Sequence, residues 1–416
     1  MTRQPEAPGN SSGNRLIDAA TGTTTTWAGL PSVETRSAPA AYFVCAALDA
    51  LAVVAAHAAT GAELLVAAAG RLDPALADEL RTSGFMLITP DGVTPPAAER
   101  VPEPGRLWLL TSGSTGRPKR IGHTLGSLTT VSGDLPSRTW LCPYSAGSYA
   151  WWQLVTLGLT VPGQDLVFVD PVGSGAPESW LDAAVEHGVT AASGTPTFWR
   201  RVLLGAGDAL AKIPLAQVTL GGEPVDQSIL DRLRAVFPDA RISWIYASSE
   251  VGASIVVHDG RAGFPVDWLD RDAGGRPVIS VRDGELVVAS PHHGVGLAGA
   301  VRTGDAVRIE DGRVLITGRL DRDEINVGGS KVSAGAVRGV LQDHPAVAWA
   351  AVRGRTAPLV GSVVVADVVL AAAHPEPVEA ADLSRWAAAR LPDYAVPRRI
   401  TILPEIPVKE TLKSDV

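Results

Sequence analysis

Residues 109–120 read Leu-Leu-Thr-Ser-Gly-Ser-Thr-Gly-Arg-Pro-Lys-Arg, and these residue types suit the grip of a polyphosphate. Thr111, Ser112, Ser114 and Thr115 offer adjustable hydroxyl donors. Gly113 and Gly116 let backbone N–H groups approach an anion closely, and Lys119 brings a mobile positive charge. The spacing is not that of a Walker loop, because the glycines stand too close together and Arg120 follows the lysine. Any four of these residues would pass for a surface turn. The whole string, directly behind an apolar run at 106–110 with the look of a buried strand, argues for an anion site.

The composition narrows what that anion is for. A chain of 416 residues with 46% hydrophobic and 19% charged residues builds a large core and two or three domains. Its net charge of −8 argues against a nucleic-acid partner or a polybasic membrane-surface protein, so an anionic ligand has to be met by local positive charge. Lysine is scarce: Lys119, Lys212, Lys331, Lys409 and Lys413 are all there are. Cys45 and Cys142 lie far apart in apolar surroundings and read as two buried small hydrophobes, neither a disulfide nor a zinc site. The N-terminus has no apolar core of a secretory signal. The Ala-rich stretch 40–69 is interrupted by Asp49, His57 and Glu63, and reads as a buried helix followed by a strand at 63–68, not a membrane span. A cytoplasmic location is the expectation.

Elements must hold the loop in place. Past Arg120, strands at 138–142, 166–170, 189–193, 217–220 and 242–246 alternate with helices at 178–187, from Pro196, and at 226–237. That interval implies a parallel sheet covered on both faces, with sites in the loops beyond the strands' carboxyl ends. Two such loops carry motifs: 220–225 (LGGEPV) and 245–252 (IYASSEVG). Short strands such as 285–289 in the segment 268–299 suggest a small β-barrel-like subdomain. It is followed by Arg-Thr-Gly-Asp at 302–305, a hairpin around 310–313 and Gly-Arg-Leu-Asp at 318–321. A smaller α+β unit then reads strand, helix (334–341), strand (347–352), strand (362–369), helix (380–391), and the chain ends Pro-Val-Lys-Glu-Thr-Leu-Lys-Ser-Asp-Val.

Across 106–416 these ordered motifs resemble those of the acyl-adenylate-forming superfamily: acyl- and aryl-CoA ligases, peptide-synthetase adenylation domains and luciferases. The resemblance implies an α/β fold with a large N-terminal domain of parallel αβ-layered sheets, a β-barrel-like subdomain and a small mobile α+β lid. The expected divisions are a shortened N-terminal subdomain over 1–105, an ATP- and acid-binding core over 106–320 and the lid over 321–416. It implies AMP-forming activation of a carboxylic acid by ATP and Mg2+, followed by transfer to a thiol, CoA being the expected cosubstrate.

The same resemblance distributes roles. The loop 111–116 and Lys119 would hold the β- and γ-phosphates. Gly221, Gly222, Glu223 and Pro224 would lie against adenine, and Tyr246 would stack near it. Ser249 would bond the α-phosphate, Glu250 would hold magnesium, and Asp305 and Arg319 would bind the ribose. Lys413 would bridge the attacking carboxylate and the α-phosphate; Lys409 is its competitor, and the register from Pro407 favours Lys413. Asp321 would be the hinge, and Gly329 would line a tunnel for a pantetheine thiol. Departures are Ala247 for the usual glycine, Ser249 for the commoner threonine and Leu412 where glycine is usual.

For the acid, the resemblance points to a pocket formed by Tyr144, Tyr149, Trp152, Thr195, Gly221, Ser248 and Ala253. The segment 142–153 holds no carboxylate to bind an α-amino group, which disfavours an amino acid. Its aromatic residues would suit an aryl or short unsaturated acid, although aromatics on a helix are more often core. The acceptor stays open among CoA, a carrier protein acting in trans and a non-thiol nucleophile, nitrite included. A degenerate nucleotide-binding scaffold is the reading from another class, and the retention of Lys119, Glu250, Asp305, Arg319 and Lys413 together argues against it.

Overall fold

The alternation of apolar runs and helices builds, in a computed structural model of the protein, an eight-stranded sheet. The structure describes residues 13–34, 36, 38–112, 118–170, 177–272, 274–297, 299–357, 361–371, 377–408, 413 and 414. In spatial order the strands are Gly252–Val257, Arg241–Ser248, Gln217–Gly221, Ala191–Gly194, Arg138–Cys142, Gln164–Phe168, Arg15–Asp18 and Thr23–Thr26. The six inner strands are parallel and both edge strands antiparallel. Helices packed against such a sheet need their first N–H groups satisfied. Ser148, Thr195 and Asp226 supply those caps for Tyr149–Thr160, Pro196–Gly205 and Gln227–Val236.

A second sheet of six strands runs Gly92–Thr94, Met86–Thr89, Ala40–Val44, Leu64–Ala68, Leu107–Ser112 and Pro118–His123, again parallel inside and antiparallel at its edges. The stretch 40–69 is thus strand, helix (Ala47–Thr60) and strand, with a first strand the sequence reading did not contain. Gly147 brings the two sheets together. At φ +79 it is in the left-handed region, and a Cβ there would lie 1.8 Å from the Val66 carbonyl oxygen, so only glycine fits.

Where a β-barrel-like subdomain was expected, the chain forms a five-stranded antiparallel sheet, ordered Phe264–Pro265, Arg313–Arg319, Ala300–Glu310, Glu285–Ala289 and Val278–Arg282. Its Asp311-Gly312 turn has φ +48 and +72, the two-residue hairpin loop that an Asp-Gly pair favours. The last unit carries Glu324–Val327, Ser330–Ser333, Val347–Ala357, Gly361–Leu370 and Arg399–Leu403, with helices Ala334–Gln342 and Ala380–Ala388. Ile325, Val337, Leu341, Val364 and Leu383 make its own core, separate from the large one that holds Trp151, Trp152 and Trp199.

Of the two cysteines only Cys142 behaves as expected; its thiol is fully buried and pushed up to about 12 by that burial. Cys45 is exposed, a correction. It follows the strand Ala40–Val44 in the turn before a helix, where connections run on the surface.

Candidate active site

A continuous cleft of 1840 Å³ lies over the carboxyl ends of Gln217–Gly221 and Arg241–Ser248, the edge where parallel sheets collect ligands. Gly221, Gly222, Glu223, Pro224, Tyr246, Ser249 and Glu250 all line it, as do Thr111 and Lys119 from the second sheet and Asp305 and Arg319 from the antiparallel one. Thr111 and Ser112 end the strand Leu107–Ser112, so the strand reaches two residues further into the loop than the sequence reading placed it. Gly113, Ser114, Thr115 and Gly116 lie outside the described residues, as does the side chain of Ser112.

Asp305 is held from both sides. The Tyr246 hydroxyl donates to one carboxylate oxygen at 2.5 Å and Arg319 Nη1 donates to the other at 3.3 Å. Burial pushes the Asp305 carboxyl up, opposed by the Tyr246 hydrogen bond and the Arg319 charge, and burial likewise raises the Tyr246 phenol. Tyr246 therefore orients the carboxylate as well as facing the cleft, a contact that sequence reasoning missed. Glu250 lines the cleft, and its carboxylate makes no hydrogen bond or ion pair among the described residues.

The loop bearing Ser249 and Glu250 is tied down from behind by a residue not singled out earlier. His123, 0% exposed, donates from Nε2 to the Ser249 carbonyl at 2.7 Å, with Nδ1 3.0 Å from Ser127 Oγ. Burial lowers its pKa, which keeps the ring neutral. His123 ends the strand Pro118–His123, which the sequence reading did not contain. The Glu250 carbonyl in turn accepts the Gly294 N–H at 2.8 Å.

Lys413 reaches the cleft from the end of the chain. Its Cε lies 3.2 Å from where a Cβ on Gly222 would stand, and Gly222 has φ +84, so glycine both permits the turn and clears the lysine's path. Lys413 is exposed to the cleft, whose protein walls surround its side chain. Desolvation by those walls lowers its pKa, and Glu223, Asp305 and Glu250, in that order, oppose the shift. Lys409 lies outside the described residues. The Glu223 side chain also fastens neighbouring backbone, a role the sequence did not suggest. It accepts the Thr197 N–H at 2.9 Å, the Thr197 hydroxyl at 3.0 Å and the Ser414 N–H at 2.8 Å.

At the acid end, Tyr144, Tyr149, Thr195, Gly221, Ser248 and Ala253 all line the cleft. Tyr149 accepts the Ala253 N–H at 2.8 Å, and Tyr144 pairs with Ser193 Oγ at 3.0 Å; burial raises both phenols. Trp152 is a correction. It is 0% exposed, packs edge-on to Trp151 with centroids 5.1 Å apart, and does not reach the cleft. The helix Tyr149–Thr160 turns 149, 150, 153, 154 and 157 to the cleft and its tryptophans to the core. Gln153 takes a place in the wall instead.

Asp321 lies in the short helix Leu320–Asp323, its side chain outside the described residues. Neighbouring Asp323 accepts from Thr317 Oγ1, Ser333 Oγ and the Gly335 N–H at 3.2, 2.8 and 2.7 Å, pinning the junction of the two units. Gly329 (φ +90) sits in the exposed turn between Glu324–Val327 and Ser330–Ser333, outside the lining of the cleft that Lys413 occupies.

Comparison with known proteins gives this geometry a family. The model for AMP-binding enzymes matches residues 33–297, and that for the AMP-binding enzyme C-terminal domain matches 338–413. The chain belongs to the AMP-binding enzyme family. Within the family it is 27% identical over 361 residues to an acetyl-coenzyme A synthetase of Rubrobacter xylanophilus, covering 75% of this chain and 55% of that protein. It is 26% identical over 389 residues to an L-proline–[L-prolyl-carrier protein] ligase of Pseudomonas fluorescens, covering 85% and 76%. The chain spans about half the length of the acetyl-coenzyme A synthetases it matches. The solved anthranilate CoA ligase AuaEII, in complex with anthranoyl-AMP, superposes with a TM-score of 0.74 at 15% identity over 98% of this chain and 93% of that one. The last likeness is one of fold: the large N-terminal domain and small C-terminal domain of the adenylate-forming enzymes. Among the described residues, no helix is long and apolar enough to cross a membrane.

Proposed function

We propose that this chain activates a small carboxylic acid with ATP and passes the acyl group to a thiol. In the first step a carboxylate oxygen bonds to the α-phosphorus, the α–β phosphoanhydride bond breaks, and pyrophosphate leaves. In the second a thiol sulfur attacks the acyl carbonyl and AMP leaves. Little covalent work falls to the protein, so positioning and neutralisation of phosphate charge carry the rate.

The observation that carries this reading is Lys413 standing in one cleft with Glu250, Asp305 and Tyr246. Its ammonium is the bridge between the attacking carboxylate and the α-phosphate. Lys119 and the 111–116 loop take the β- and γ-phosphates, Ser249 the α-phosphate, and Asp305 and Arg319 the ribose. Among the described residues, no cluster of three or more His, Cys, Asp or Glu stands ready to hold a metal alone. One unpaired carboxylate, completed by phosphate oxygens and water, suits Mg2+, and Glu250 fits that part. Bound there, magnesium would neutralise phosphate charge.

For the second step we assign CoA as acceptor, in keeping with the thiol-ligase names of relatives; the carrier-protein ligase among them keeps a phosphopantetheine in trans as the competing acceptor. The acid end is lined by Tyr144, Tyr149, Ala150, Leu154 and Leu157, which favours an apolar, aryl or short unsaturated acid over an α-amino acid. Acid-dependent exchange of pyrophosphate into ATP across a panel of aryl, acyl and amino acids, with products weighed with and without CoA, tests both steps. An acyl-AMP that ignores CoA would remove the assigned acceptor. Silence with every acid would remove the adenylation reading.

A further inference from the structure

The residue after Lys413 is fastened to the large domain by a network of hydrogen bonds. Ser414 is 8% exposed, and Thr197 and Trp349 are each 2% exposed. The Trp349 indole N–H donates to Ser414 Oγ at 3.0 Å. Ser414 Oγ lies 2.8 Å from Thr197 Oγ1, and Thr197 Oγ1 donates to Glu223 Oε1 at 3.0 Å. A hydroxyl has one proton. With the Thr197 proton on the carboxylate, the Ser414 hydroxyl donates to Thr197 Oγ1 at 2.8 Å or to Glu223 Oε1 at 3.4 Å, so indole, Ser414, Thr197 and Glu223 form one connected network. The Ser414 backbone N–H adds a second hold on Glu223.

The four residues come from separate places: the first turn of Pro196–Gly205, the loop after Gln217–Gly221, the strand Val347–Ala357 and the tail. The surrounding contacts keep them in register. Arg200 donates to the Ala348 carbonyl at 2.8 Å while paired with Asp226, and Arg232 donates to the Val347 carbonyl at 2.6 Å. Trp349, Ala351, Val369 and Ile406 pack with Leu204 of the large domain.

We propose that Ser414 is a positioning residue: its side chain and amide latch the tail so that Lys413 stands in the cleft. This rests on the adenylation reading above for its catalytic consequence. The latch is built to open. When the tail leaves, Glu223 keeps both the N–H and the hydroxyl of Thr197, so no buried charge is orphaned. An apolar residue at 414 would fill the space but leave the Trp349 indole N–H without its acceptor. The latch therefore favours the step that needs Lys413 over the one that does not.

The test is Ser414→Ala, with Thr197→Val as a second break and Ser414→Thr as the conservative rescue. In Ser414→Ala we expect kcat for acid-dependent pyrophosphate exchange to fall about tenfold, the effect of one or two buried hydrogen bonds. KM for ATP should stay within about twofold, and thiol transfer from supplied acyl-adenylate should not fall. Ser414→Thr should recover most of the exchange rate. Unchanged exchange in both breaking variants, or equal loss in both half-reactions, overturns the proposal. Hydrogen–deuterium exchange of peptide 408–416, without ATP or acid, reads the latch apart from activity. It should quicken in both breaking variants, and unchanged protection there overturns the latch even if the wild-type chain adenylates no acid tried.

Discussion

Asp305 carries the sharpest single-residue consequence of the site. Its two oxygens are taken by Tyr246 and Arg319, so a ribose diol meets a carboxylate already aimed. Removing the Tyr246 hydroxyl deletes about 1 kcal/mol of orientation without touching phosphate chemistry. Tyr246→Phe should therefore raise KM for ATP roughly fivefold while kcat changes less than about twofold. Steady-state kinetics at varied ATP decides it, and an unchanged KM would mean that the Tyr246–Asp305 bond does not survive nucleotide binding. Asp305 and Arg319 were legible in the sequence because they sit in a local phrase. The Tyr246 hydroxyl's partner lies 59 positions away, and Thr197 and Ser414 are 217 apart. No local pattern encodes such contacts.

At the scale of elements, the site depends on two sheets held in register, and Gly147 is one of the points where they meet. Gly147→Ala puts a Cβ into the Val66 carbonyl at a left-handed backbone angle. The cost should reach roughly 2 kcal/mol or more, read as a lower urea midpoint with an unchanged slope; an unaltered midpoint would show that the 143–148 loop shifts freely. The parallel sheet followed from the alternation of runs after Arg120, because buried parallel strands and amphipathic helices differ in period; its spatial order, with Arg15–Asp18 beside Gln164–Phe168, did not. Which face the helix Tyr149–Thr160 turns to the cleft did not follow. Residues 149–160 read YAWWQLVTLGLT, apolar on nearly every side, and a pattern without contrast cannot separate a pocket wall from a core. That is why Trp152 was misassigned and Gln153 overlooked. In the stretch 40–69 the helix and the strand after it are present, but the first strand was missed, since alanines serve strand and helix alike in Ala40–Val44 and Ala47–Thr60.

At the scale of the whole molecule, stability should fall with acid, because buried neutral histidines resist taking up charge. His57 and His123 are 3% and 0% exposed, and burial lowers both below the ordinary 6.5. Below pH 6.5 the unfolded chain takes up protons that these folded sites resist, so stability falls as pH falls through that value toward their lowered folded pKa values. The melting temperature should be lower at pH 5.5 than at 7.5, and a flat or rising profile over that window would contradict the assignment of both rings as neutral. His123 makes this functional too, because its ring holds the Ser249 carbonyl.

The most direct test of the central claim is acid-dependent pyrophosphate exchange by the wild-type chain and by Lys413→Ala, with folding checked by melting temperature. The wild type should exchange with at least one class of carboxylic acid. Lys413→Ala should lose on the order of 10²–10³ in rate, as expected when a group that neutralises transition-state charge is removed, while still passing a supplied acyl-adenylate to CoA. A folded Lys413→Ala protein that exchanges as fast as the wild type would contradict the central role given to this lysine and to the tail that delivers it.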